Sequence, residues 1–183
     1  GAACYLAVAC GYSHTVALRG DGRVFAIGAS PDGRCDTAAW HDVVDIACGV
    51  RHTAAVLSDG HCVATGDNSR GQCAVGDWEN VVMIACGEFH TAGVTADGRV
   101  LIAGNAGCEA CRVEDLRDVI SVACLPEATV CVHADGHMTV RGGDGMLAEA
   151  VAPIRDAVAV DGKEYRLAVL TVDRRVLFLP GTE

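Results

Sequence analysis

Aromatic residues make up only 4% of this 183-residue chain, and Lys163 is its only lysine. So few aromatics cannot give each structural unit a stacking platform, which argues against a lectin-like glycan binder. With 14 Lys+Arg against 24 Asp+Glu, the formal net charge is -10. That balance repels phosphate backbones and anionic lipid, so neither nucleic acid nor a membrane is the expected partner. No apolar run approaches the roughly 20 residues that span a bilayer. The opening GAACYLAVACG has no basic flank and its apolar stretch breaks at Gly11. It therefore does not read as a signal peptide, and a cytoplasmic location is expected. Also missing are a Gly-rich phosphate loop opening a helix, a nucleophile elbow, and any helix on which to mount one. The expectation is a protein without enzymatic activity and without a cofactor. Its length suits one domain burying roughly 70% of its unfolded surface.

What is present is a repeat. Ala9-Cys10-Gly11 recurs as Ala47-Cys48-Gly49 and Ala85-Cys86-Gly87, at a constant step of 38 residues. His14-Thr15 keeps that step as His52-Thr53 and His90-Thr91. Asp21-Gly22, Asp59-Gly60, Asp97-Gly98 and Asp135-Gly136 carry it through a fourth copy, as do Gly28, Gly66, Gly104 and Gly142. A fifth, degraded copy keeps Val158 and Val160, Leu167 to Leu170, Asp173-Arg174 and Val176 to Leu179. The units span approximately 5–42, 43–80, 81–118, 119–156 and 157–183, and fill the chain as one repeat domain.

Each unit holds three runs too short for helices, such as Val44 to Cys48, Thr53 to Leu57 and Cys62 to Thr65. Asp-Gly between the second and third runs is a tight hairpin signal, because the turn needs positive φ that these residues tolerate. Many runs are apolar on both faces, as sheets packed face to face require. Small Ala, Cys and Gly crowd the first run, where sheets radiating from an axis come closest. The sequence thus predicts an all-β fold: a β-propeller, or an open propeller-like array, of five three-stranded antiparallel blades.

The pattern A-C-G-x-x-H-T, then D-G-x-V, then Gly, then Gly71-Gln72-Cys73 resembles the regulator of chromosome condensation repeat. Its short period is most similar to the bacterial version, of which the propeller-shaped β-lactamase inhibitory proteins are an example. The fourth unit loses Gly and His at Leu125 and Ala128. The resemblance implies a β-propeller, whose closed members usually have seven blades. Five units then form an unusual ring, part of a larger propeller, or an array that self-association of two chains completes into a ring.

His14, His52 and His90 share one repeat position and could form a metal-holding row. A His recurring beside a Gly turn more often ties down local backbone, and that is the expected role. The eleven cysteines are odd in number and follow the repeat, as in Cys10, Cys48, Cys86 and Cys124, so they read as reduced, buried thiols. Cys108-x-x-Cys111 is one pair, half a tetrahedral zinc site. No metal site is assigned.

Variation within the repeat is the functional signal. Between A-C-G and H-T two positions never agree: Tyr12-Ser13, Val50-Arg51, Glu88-Phe89, Pro126-Glu127 and Glu164-Tyr165. These turns would crowd one rim of a propeller, and loops on a rigid scaffold are where recognition is placed. The candidate partner-binding residues are Tyr12, Ser13, Val50, Arg51, Glu88, Phe89, Glu127, Glu164 and Tyr165. Among them Tyr12, Phe89, Tyr165 and Arg51 are candidate anchors, and Glu88, Glu127 and Glu164 favour a partner with a basic patch. Trp40 and Trp78 match in the repeat frame and read as structural. The connections containing Asp32-Gly33-Arg34, Asp67 to Arg70 and Gly143 to Met146 form a second variable set on one side, of which Asn68 to Gly71 has an ordinary turn composition expected to face solvent.

The leading functional expectation is a non-enzymatic protein–protein interaction module working through this rim. In the inhibitory propellers that the chain resembles, the corresponding turns hold the partner. One alternative is guanine-nucleotide exchange on a small GTPase, the activity of the family's namesake, although no unit contains an insertion long enough to be a wedge. The namesake's chromatin contact is disfavoured by the acidic balance and the single lysine. A further alternative is metal binding through the His row and Cys108/Cys111.

Overall fold

The computed structural model describes residues 4–105, 107–143, 145–164 and 166–180. Its strands come in consecutive antiparallel threes. Blade 1 is β1 (Tyr5–Cys10), β2 (His14–Arg19) and β3 (Val24–Gly28), and blade 2 is β4 (Val43–Cys48), β5 (His52–Leu57) and β6 (Cys62–Gly66). Blade 3 is β7 (Val81–Cys86), β8 (His90–Thr95) and β9 (Val100–Gly104), and blade 4 is β10 (Val119–Cys124), β11 (Ala128–His133) and β12 (Met138–Gly142). Blade 5 is β13 (Ala157–Lys163), β14 (Arg166–Thr171) and β15 (Val176–Pro180). The Asp-Gly hairpins form as expected, with positive φ at Gly22, Gly60, Gly98 and Gly136. Every first strand slips register at one repeat position, for example between Val43 and Asp45, a repeated bulge that adds local twist.

The inner strands β1, β4, β7, β10 and β13 line a central channel of about 560 Å³. Successive blades stack, each middle strand packing on the inner strand of the next blade. Four apolar cores result. Val16, Leu18 and Val24 meet Val43, Ile46 and Ala55 between blades 1 and 2, and Val130, Val132 and Met138 meet Val160, Leu167 and Val169 between blades 4 and 5. The middle strands β8 and β11 are buried at every residue. Their apolar character on both faces follows from having a sheet on each side.

The terminal blades differ. In β2 burial alternates residue by residue, because no described residue covers its outer face. Ile27 of blade 1 is 76% exposed and Phe178 of blade 5 is 80% exposed, with Phe25, Leu170 and Val176 also exposed. The outer faces of blades 1 and 5 therefore do not cover each other, and the array is open. It is tied across the axis instead: Lys163 Nζ donates to the carbonyls of Cys10 at 2.6 Å and Cys48 at 2.8 Å. The same uncovered face corrects one expectation about the thiols. Cys48, Cys86 and Cys124 are buried, but Cys10 at the same repeat position is exposed, as is Cys4.

A second correction concerns helices. The connection after β12 contains a short helix, α1 (Met146–Val151), and the one after β9 contains a 3₁₀ turn, Glu109–Cys111. Leu147, Val151 and Ile154 bury one face of the α1 region in the fourth core. Val151 and Ile154 stand at the repeat positions of Val75 and Trp78, so the helix serves an anchor that the other connections make without one.

Candidate recognition rim

The scaffold under the rim is a row of inter-blade staples. His14 Nε2 lies 2.9 Å from Thr53 Oγ1, His52 Nε2 2.8 Å from Thr91 Oγ1, and His90 Nε2 3.1 Å from Thr129 Oγ1. Thr53 and Thr91 in turn donate to the carbonyls of Arg34 and Gln72, both at 2.7 Å. A hydroxyl that has given its one proton to a carbonyl can only accept from the imidazole. His14 and His52 are therefore Nε2–H tautomers, and among the described residues their Nδ1 atoms have no partner. Burial lowers the pKa of all three, to about 4 for His52 and His90. Each Nε2 is committed to a different blade boundary, so the row does not converge on a metal. Among the described residues no group of three or more His, Cys, Asp or Glu is placed to hold one.

The staple also explains the glycine of A-C-G. A Cβ at Gly49 would lie 2.3 Å from His52 Cε1, and one at Gly11 would lie 2.1 Å from His14 Cε1. Where the histidine is replaced by Ala128, that glycine is replaced by Leu125 and the receiving threonine by Leu167, all three buried in one core. Replacing both members of a buried hydrogen bond by apolar groups avoids leaving either unpaired.

Each staple histidine opens a middle strand and pairs with the last residue of the third strand, as His52 does with Gly66. The variable turns and the connections leaving the third strands therefore emerge at one end of the array, and the Asp-Gly hairpins at the other. The first residue of each variable pair faces the axis: Tyr12, Val50, Glu88, Pro126 and Glu164 surround the channel mouth beside Lys163. Tyr12 is 72% exposed. In the third and fourth pairs the second residue turns outward. Phe89 and Glu127, with Arg70, Glu88, Cys108, Glu109 and Pro126, form the walls of a groove of about 410 Å³. Arg70 stacks over the Phe89 ring, 5.8 Å from its centroid.

Ser13 and Arg51 are engaged in the scaffold. The buried Arg34 reaches Ser13 Oγ at 3.0 Å and the Val50 carbonyl at 3.1 Å, and pairs with Asp32 at 2.6 Å through Nε. Arg51 joins the same carboxylate at 3.1 Å. The Arg34 guanidinium, aided by Arg51 and opposed by burial, holds the Asp32 carboxyl down at about 2. This network locks turns 12–13 and 50–51 together and leaves Tyr12, Glu88, Phe89, Glu127 and Glu164 as the rim residues free of it. Tyr165 lies outside the described residues. Asp32, Arg34, Arg70, Cys108, Glu109 and Lys163 were not among the expected site residues. Their signal was departure from the repeat: Arg34 stands where another unit has Gln72, and Lys163 stands where three units have the A-C-G glycine.

The regulator of chromosome condensation (RCC1) repeat matches residues 6–34, 43–72 and 81–109, one match in each of the first three blades. The first three blades of this chain are RCC1 repeats. Solved structures place its blades among RCC1-type propellers. Human WBSCR16 superposes with a TM-score of 0.77 at 19% identity, over 96% of this chain and 61% of that one. The ectodomain of the Physcomitrella patens receptor kinase CR4 gives 0.76 at 17% identity, over 99% and 52%. Prp20p from Saccharomyces cerevisiae, described with its binding properties to Gsp1p and histones, gives 0.67 at 21% identity, over 78% and 46%. The chain thus spans about half to three fifths of the length of these propellers. No curated protein sequence matches it.

Proposed function

We propose that this RCC1-repeat protein is a non-enzymatic interaction module that holds a protein partner on the rim formed by its variable turns. One observation carries the reading. The residues that differ between repeats, Tyr12, Glu88, Phe89, Glu127 and Glu164, stand together at the end of a scaffold whose constant residues are spent on staples between blades. An exposed Tyr12 and a half-buried Phe89 next to carboxylates fit a partner offering basic and apolar side chains. That Prp20p binds proteins agrees with such a role. Nucleotide exchange has less support, because the connections 29–42, 67–80, 105–118 and 143–156 all keep the repeat length and none carries an insertion. Core histones as the basic probe and a small GTPase as the second test the reading, each against the parent and a Tyr12→Ala, Glu88→Gln, Phe89→Ala variant. Salt-sensitive histone binding lost in the folded variant supports it. Binding that ignores both salt and the rim changes would overturn it.

We also propose that the uncovered blade faces meet second copies of the chain. Val8, Ala17 and Phe25 of blade 1 hold the repeat positions of Ile46, Ala55 and Val63, which in blade 2 pack against the preceding sheet. Ala168, Leu170 and Phe178 of blade 5 hold those of Ala54, Val56 and Ala64, which pack against the following one. A head-to-tail contact would repeat the internal blade interface.

A further inference from the structure

The connection after β9 departs from its two predecessors in a way that brings two thiols together. In the first connection the Cys35 amide donates to Ser30 Oγ at 3.0 Å, and in the second the Cys73 amide donates to Asn68 Oδ1 at 2.9 Å. The corresponding residue of the third unit is Ala106, which has no side-chain acceptor. There the Cys111 amide donates to the Cys108 carbonyl at 3.2 Å, and Cys108 Sγ lies 2.9 Å from Cys111 Sγ. A turn closed by that bond keeps its end Cα atoms within about 7 Å, inside the range that a disulfide bridges. Cys35 and Cys73, at the position of Cys111, have no such neighbour: the residues in place of Cys108 are Asp32 and Arg70. Both thiols of the pair are half-buried, and Cys108 and Glu109 line the rim groove beside Phe89 and Glu127.

We propose that Cys108 and Cys111 form a reversible disulfide, made by exchange with a small-molecule disulfide such as oxidised glutathione, that fixes the groove wall. The regulatory half of this rests on the rim being the binding site. Burial, with the Cys108 contact adding to it, pushes the Cys111 thiol up to about 12, so the first attack falls to Cys108. The Cys108 thiolate attacks one sulfur of oxidised glutathione, and the departing glutathione thiolate takes up the proton that Cys108 gave to solvent. Cys111 then loses its proton and attacks the Cys108 sulfur, releasing the second glutathione. Two protein thiols are oxidised to one disulfide, and one glutathione disulfide is reduced to two glutathiones. The new bond supplies the loop tie that Ser30 and Asn68 give the other connections.

The test uses the whole reduced chain incubated with oxidised glutathione, followed by blocking of free thiols and peptide mapping without reductant. The expected result is a 108–111 peptide carrying an internal disulfide, reopened by reductant, while the Cys111→Ser variant accumulates glutathione on Cys108. Amide exchange of residues 107–112 slows on oxidation, and that of 32–37 and 70–75 does not change. Recovery of both thiols blocked, or of persistent glutathione on Cys108 in the parent, overturns the proposal. A disulfide that leaves exchange at 107–112 unchanged overturns the groove link. None of these readouts needs a partner, so their failure is separate from failure of the rim reading, which the Tyr12, Glu88 and Phe89 substitutions test without touching a thiol.

Discussion

His52 of blade 2 and Thr91 of blade 3, 39 residues apart, meet at 2.8 Å across a blade boundary, with both side chains fully buried. His52→Ala removes the donor and opens a cavity, at an expected cost of about 2–4 kcal/mol. Thr91→Val leaves the imidazole N–H unpaired and costs about 1–3 kcal/mol. The chain itself shows the compensated form, Ala128 with Leu167. His52→Ala combined with Thr91→Val should therefore cost less than the sum of the single changes by at least ~1 kcal/mol. Urea unfolding of the four proteins checks this, and strict additivity counts against the staple.

Acid should weaken the fold well above the carboxylate range. Burial holds His52 and His90 at about 4, and lowers His14 as well. The unfolded chain takes up these protons near 6.5 and the native one resists them. The stabilisation is complete above about 6.5 and is lost as the pH falls toward 4, on the order of 3 kcal/mol for each of the two deeper histidines. The Asp32 contribution is lost later, between the ordinary carboxylate value and about 2. Denaturation series at pH 7.5, 5.5 and 4.5 read the first window, and His52→Gln should flatten it.

Lys163→Met removes the two bonds that cross the axis to Cys10 and Cys48. Hydrogen bonds to charged groups contribute about 1.5–3 kcal/mol when buried, and this ammonium is half-exposed, so a loss of about 1–2 kcal/mol is expected. Amide exchange should quicken in β13 and leave β8 unchanged.

Phe178→Asp places a charge on the uncovered face of blade 5. Sedimentation of the parent should show association that rises with concentration, and the variant should remain monomeric. A parent that is monomeric at every concentration contradicts the head-to-tail contact.

The architecture was legible because each blade boundary repeats one problem and one solution: the His-Thr pair, the A-C-G turn and the Asp-Gly hairpin mark where strands start and end. The α1 helix is not anticipated because only Gly143 to Met146 of that connection stands out as a variable turn, although the spacing of Leu147, Val151 and Ile154 suits a helical face. The turns of the proposed rim stand out because they vary, but variation does not tell a free side chain from a strut. Arg51 and Ser13 vary as Phe89 does, yet they are tied into Asp32 and Arg34, whose partners lie 16 to 21 residues away in sequence. Cys108 stands out in the sequence only as half a zinc site, and Glu109 not at all, because the register that brings them beside Phe89 exists only in three dimensions.

The most direct test of the rim is amide-hydrogen exchange of the chain free and saturated with a bound partner, histones being the first to try. The account predicts protection at 11–13, 49–51, 87–89 and 125–127 and none at the Asp-Gly hairpins, with Tyr12→Ala changing stability by no more than ~0.5 kcal/mol. Protection at the hairpin end, or on the blade faces alone, would contradict it.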